Sequence, residues 1–165
     1  MPLPQALTGE TWAVKTAVAM LPLLVRCAKR GQTVTYGELD REIVRRGLGH
    51  HVHAAAYGHA AGAVGDALVE TEEEWGTQIP PLNALVVNAQ TGIPGSGCDW
   101  YLLHVLRRPQ RGITEHQRRA LAEAVREMVF NFDRWDELLT EYGLRPIPEG
   151  RGKHRPRGAS GKRIR

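Results

Sequence analysis

The chain has 165 residues, a formal net charge of +4 and a mean hydropathy of −0.36, values that suit one domain able to bury its own core. Its two cysteines, Cys27 and Cys98, stand far apart with no CxxC pair, which argues against a disulfide framework or a zinc ribbon and for a reduced, cytoplasmic setting. The longest apolar run, residues 17–25, is too short to span a bilayer and contains Pro22, and no basic-then-apolar signal segment opens the chain, so no membrane partner is expected.

In chain order, residues 9–29 carry Trp12, Val14, Ala17, Val18, Leu21, Val25 and Ala28 at helical spacing, which predicts a buried scaffold helix with a kink or break near Leu21 imposed by Pro22. Lys29, Arg30 and Gly31 form its stop signal; the two cations also suit contact with phosphate. Thr35 and Glu38 then have capping-box spacing and start a second helix at Tyr36. Leu39, Ile43 and Val44 give it a narrow apolar stripe, with Arg41, Arg45 and Arg46 standing off as cations suited to a polyanion.

Residues 47–59 hold His50, His51, His53 and His59. Imidazoles at this density invite metal ligation, but no nearby cysteine completes a familiar spacing, so the segment reads as a loop with donors for phosphate or base edges and no metal or cofactor is expected. The helix predicted over 59–75 is bare in its first turns, at Ala60, Ala61, Gly62, Ala63 and Gly65. Each helical glycine costs about 1 kcal/mol relative to alanine, so something must approach closely: either another helix or a nucleic-acid backbone near the amino end. Glu70, Glu72, Glu73 and Glu74 form a solvated acidic face.

Pro80 and Pro81 lead into residues 82–88, an apolar run read as a buried strand, and 88–97 (NAQTGIPGSG) is a turn and loop offering Asn88, Gln90, Thr91 and Ser96. Trp100, Tyr101, Leu102, Val105 and Leu106 suit a short amphipathic helix, followed by Arg107, Arg108 and Arg111. Thr114 and Gln117 repeat the capping-box spacing before a helix, and Phe130, Phe132, Trp135, Leu138 and Leu139 form a last apolar element after a break near Asn131. Residues 151–165 contain seven Lys and Arg and no acid, so the remaining chain carries fifteen basic against eighteen acidic side chains. The basic character lies in this tail, read as a disordered tail or linker over 149–165 behind a folded domain at 1–148.

TYGEL, then AAGAVGDAL, then a proline and an apolar strand resemble the winged-helix DNA-binding domain of the alkylguanine-DNA alkyltransferases and alkyltransferase-like proteins. The resemblance implies that Tyr36 sits against a DNA phosphate and that the helix with AAGAVGDAL is a recognition helix. The chain departs from that family at Gly62, where the family has an Arg, and after Pro81, where the enzymes have Cys-His and this chain has Leu82 and Asn83. Over roughly residues 10–145, the TYGEL-like helix start, NALVVNAQTGIPG and the C-terminal helices also resemble the sulfur-binding domains of phosphorothioate-dependent restriction endonucleases.

The expectation is therefore an α+β, mainly helical, winged-helix-like single domain with a small β-sheet and with 88–97 as its wing. It would be a non-catalytic module for phosphorothioate-modified duplex DNA, the targeting part of a restriction system whose nuclease domain would lie in a longer protein. Sulfur is a poor hydrogen-bond acceptor, so it suits a small apolar pocket with a basic rim. Tyr36, Gly37, Ala61, Gly62 and Pro81 are the candidate walls; Lys29, Arg30, Thr33, Thr35, His53, His59 and Arg108 are candidate phosphate contacts; Asn88, Gln90, Thr91 and Ser96 are candidate base readers. No catalytic constellation emerges, since Ser96 in IPGSG lacks a nucleophile elbow's setting. An alkyltransferase-like reader of alkylated guanine, a winged-helix regulator of unmodified DNA and a protein-binding accessory domain are the alternatives.

Overall fold

The computed structural model describes residues 3–148, and the segment expected to be a disordered basic tail lies outside the described residues. The described chain is mainly helical, with one two-stranded sheet. Helix α1 (Trp12–Arg30) starts where the Thr11 hydroxyl accepts from the Val14 amide, and ends at Gly31, whose φ of 64° lets Gly31 and Gln32 donate to the Ala28 and Cys27 carbonyls. The helix does not break at Pro22. Proline removes a backbone donor and crowds the preceding turn, but Met20, Leu21, Leu23 and Leu24 on either side of it are buried, and that packing holds the helix together.

Strand β1 (Val34–Thr35) runs directly into α2 (Tyr36–Arg45), and both halves of the Thr35–Glu38 capping box are formed. The arginines of α2 are less free than its pattern predicts. Glu42 is 2.7 Å from Arg45, 2.8 Å from Arg46 and 3.2 Å from Arg26, so one carboxylate ties down two of the three cations expected to face a polyanion. After the histidine-rich loop, α3 (Tyr57–Trp75) packs along α1, with Ala60, Ala61, Val64, Ala67 and Leu68 buried.

The strand expected over 82–88 is mostly something else. Residues Leu82–Leu85 form a 3-10 turn, and only β2 (Val86–Val87) is extended, pairing parallel with β1 at Val34↔Val86 and Thr35↔Val87. A short buried apolar run does not distinguish these conformations. Helices α4 (Asp99–Val105), α5 (Glu115–Asn131) and α6 (Trp135–Glu141) complete the core, with the Thr114–Gln117 capping box formed at α5. Among the described residues no helix is long and apolar enough to cross a membrane.

The predicted acidic face of α3 also has structural partners. Glu70 accepts from the Gln5 and Ala6 amides of the amino-terminal arm, and Glu72 accepts from the Ile79 amide and meets His104. Tyr57, from the segment read as a loop, is fully buried and meets Trp12 edge-to-face at 5.5 Å.

Candidate functional site

Parallel pairing of β1 with β2 sets Tyr36, the first residue of α2, beside Val86 and the loop that follows β2. Helix α3 closes the opposite side with Gly58, Ala61 and Gly62. Asn83 from the 3-10 turn, together with Pro94, Gly95, Gly97 and Cys98 from the loop, completes a cavity of about 90 Å³. Its lining is small or apolar apart from the Tyr36 hydroxyl, the Asn83 amide and the Cys98 thiol.

Burial, and then the nearby Cys98, raise the pKa of Tyr36, while a hydrogen bond from the Gly95 backbone opposes them. The phenol is therefore a neutral group at neutral pH, spanning from α2 to the loop. Burial pushes the Cys98 thiol up to about 12, with Asp99 adding to the effect and Arg118 opposing it. Asn83 is 4% exposed; its Nδ2 lies 3.9 Å from Cys98 Sγ and its Oδ1 has no hydrogen-bond partner. A buried amide oxygen left in this way costs about 1–3 kcal/mol, so one residue of the cavity lining carries an unsatisfied polar atom.

Of the five expected wall residues, the fold brings Tyr36, Ala61 and Gly62 together. Gly37 lies on the outer turn of α2, where a Cβ would be 3.5 Å from an Arg41 guanidinium nitrogen, and Pro81 is buried just before the turn that carries Asn83. Neither borders the cavity. Asn83, Val86, Pro94 and Cys98 were not legible as walls, because a 3-10 turn, a two-residue strand and an irregular loop deliver them.

The expected phosphate contacts are scattered around this centre. His59 is exposed beside Gly58 on the first turn of α3, whose amino end has no side-chain cap, and His53 is exposed just before it. Thr35 uses its hydroxyl in the capping box. Arg30 and Thr33 border a separate depression of about 160 Å³ together with Glu38 and Glu42. Lys29 points to α6 and pairs with Asp136 at 2.9 Å, and Arg108 is exposed behind α4.

In the expected wing, Asn88 Oδ1 accepts from the Gln90 amide at 2.8 Å, an Asx turn, and the Thr91 hydroxyl faces the Ile93 backbone at 3.4 Å. These two side chains shape the loop, while Gln90 and Ser96 are exposed. Arg126 donates to the Gly92 carbonyl and ties the loop to α5.

No protein-family model, curated protein or solved structure matches this chain. The cavity geometry therefore carries the functional argument alone. In the histidine-rich segment, His51 and the Val52 amide both meet the Asp40 carboxylate, which also accepts from the Tyr57 hydroxyl at 2.7 Å. The loop is thus pinned to α2, and no group of three metal-ligating side chains converges among the described residues.

Proposed function

We propose that this chain is a non-catalytic, winged-helix-like reader of modified duplex DNA that holds the sulfur of a backbone phosphorothioate in the cavity at Tyr36. The single observation behind this function is the convergence of Tyr36, Ala61 and Gly62 with Val86, Pro94 and Cys98 on one small cavity that is more apolar than polar. An ordinary phosphate oxygen loses strong hydrogen bonds to water on entering such a site, whereas the larger and more polarizable sulfur loses less. Gly58 and His59, exposed on the first turn of α3 at an amino end that no side chain caps, offer a backbone amide and an imidazole to the adjoining backbone. The seven basic residues over 151–165 add attraction that is independent of sequence.

Two observations favour a second reading, in which the cavity takes an alkyl group on guanine. Its volume of about 90 Å³ exceeds the room for one small atom, of the order of 30 Å³. The unpaired Asn83 oxygen also suits a base-edge donor better than an anion.

A titration at fixed, near-physiological salt separates the two. One duplex is compared unmodified, with a single stereodefined phosphorothioate, and with alkylguanine. Preference for the sulfur duplex, lost in Tyr36→Ala with folding intact, is the expected result; preference for alkylguanine selects the second reading. Equal binding to all three, falling steeply with salt, removes both.

A further inference from the structure

We propose that Trp100, His104 and the arginine segment behind α4 form a stacking surface for single-stranded nucleic acid, separate from the cavity at Tyr36. Trp100 is 44% exposed, although most large apolar side chains of the domain are buried. It is nevertheless held rigidly. One ring face stacks on His104 at 4.7 Å and 13°, its edge meets Tyr101 at 5.3 Å, and His104 is itself fixed by Glu72 at 2.9 Å. A flat ligand stacking on the open side of Trp100 would order little that is not already ordered, which favours binding.

The chain beyond α4 returns to the start of that helix. Arg107 has a φ of 55°, a left-handed conformation more usual for glycine, and the Arg107 and Arg108 amides close the helix by donating to the His104 and Leu103 carbonyls. Gln110 Nε2 then donates to the Trp100 carbonyl at 2.9 Å, folding the segment back beside the start of α4. Arg107, Arg108 and Arg111 are exposed and form no ion pair among the described residues. Five other arginines are ion-paired: Glu42 serves Arg26, Arg45 and Arg46, Asp99 serves Arg118, and Glu137 serves Arg134.

A rigid, exposed aromatic ring at the start of α4 and the exposed arginines of the segment that folds back to it match a nucleic-acid strand, which supplies a base for the ring and phosphates for the arginines. An acidic peptide would use the arginines and leave the tryptophan face without a partner. A duplex keeps its bases stacked inside, so the matching form is an unpaired one.

The test measures fluorescence anisotropy of the full chain with a labelled eight-residue thymidine strand and an abasic strand of equal length and charge. The base-bearing strand should bind about tenfold more tightly. Trp100→Ala should reduce it to the abasic level, Trp100→Phe should keep most of the difference, and Tyr36→Ala should leave it unchanged, so that failure here is distinct from failure of the cavity reading. R107Q/R108Q/R111Q should weaken both strands alike and flatten their salt dependence. Equal binding of the two strands, an unaffected Trp100→Ala, or equally effective displacement by polyglutamate would overturn the proposal. If Trp100→Ala fails to fold, Trp100→Leu makes the same comparison with apolar volume retained.

Discussion

Tyr101 lies across the backbone of Gly65: a Cβ added there would sit 2.6 Å from the Tyr101 ring and 2.9 Å from Asn83 Nδ2. The same Cβ at Gly62 would find nothing nearer than the Tyr101 hydroxyl, at 3.9 Å. The two glycines of α3 are therefore bare for different reasons. Gly65→Ala must move a ring anchored by Asp66 at 2.6 Å, and should destabilise the fold by roughly 1–3 kcal/mol through overpacking. Gly62→Ala has room and should be neutral or stabilising by up to about 1 kcal/mol, while narrowing the cavity and weakening modified DNA. Urea melts of both variants, with binding measured on Gly62→Ala, check the pair.

Glu72 joins three parts of the fold by accepting from the Ile79 amide at 3.0 Å and meeting His104 at 2.9 Å. Glu72→Ala leaves a part-buried backbone amide unsatisfied and should cost about 1–3 kcal/mol. Glu73→Ala, an exposed neighbour, should change stability by less than about 0.5 kcal/mol. Thermal melts of the two variants separate a tertiary anchor from a solvated charge.

Signals confined to a few neighbouring residues were legible in the sequence. Both capping boxes formed where Thr35–Glu38 and Thr114–Gln117 placed them, and in the stripe of α1 Ala17, Leu21, Val25 and Ala28 are buried while Trp12, Val14 and Val18 are partly so. What the sequence hid depends on distant partners. Nothing local distinguishes Glu72 from Glu73, or announces that Tyr57, in a polar segment, reaches the core against Trp12. Continuity of α1 through Pro22 likewise reflects tertiary packing that overrides a local penalty. At the cavity, Tyr36, Ala61 and Gly62 were visible because Tyr36 opens a helix behind a capping box and the other two lie in a run of small residues. Asn83 and Cys98 were not, since only the course of an irregular chain brings them there.

Acid should expose the contribution of Glu42. Arg45, the largest influence, with Arg46 and Arg26, lowers its pKa from 4.5 to about 2 against the opposing effect of burial. The folded state thus binds this proton less readily than the unfolded chain. The stabilisation is fully present above about pH 4.5 and is lost as pH falls toward about 2. Glu42→Gln should be less stable than the parent at pH 7, with the difference shrinking through that window. Urea midpoints from pH 7 to pH 2 measure it, and a difference that stays constant with pH would show that the pairs contribute nothing through ionisation.

Cys98 supplies a test of the non-catalytic assignment, because it places a thiol in the wall of the very cavity proposed to receive modified DNA. The nucleophile is the thiolate. With burial raising the pKa to about 12, only about one molecule in 10⁵ carries it at pH 7. The Asn83 amide nitrogen, which donates to it at 3.9 Å, takes no proton from sulfur. Native protein at pH 8 should therefore leave Cys98 unlabelled by iodoacetamide while the half-buried Cys27 reacts slowly, and denaturant should release both. After incubation with an alkylguanine duplex, intact-mass spectrometry should find the chain unchanged. A mass gain of one alkyl group located at Cys98 would make the protein an alkyl acceptor and overturn the non-catalytic assignment.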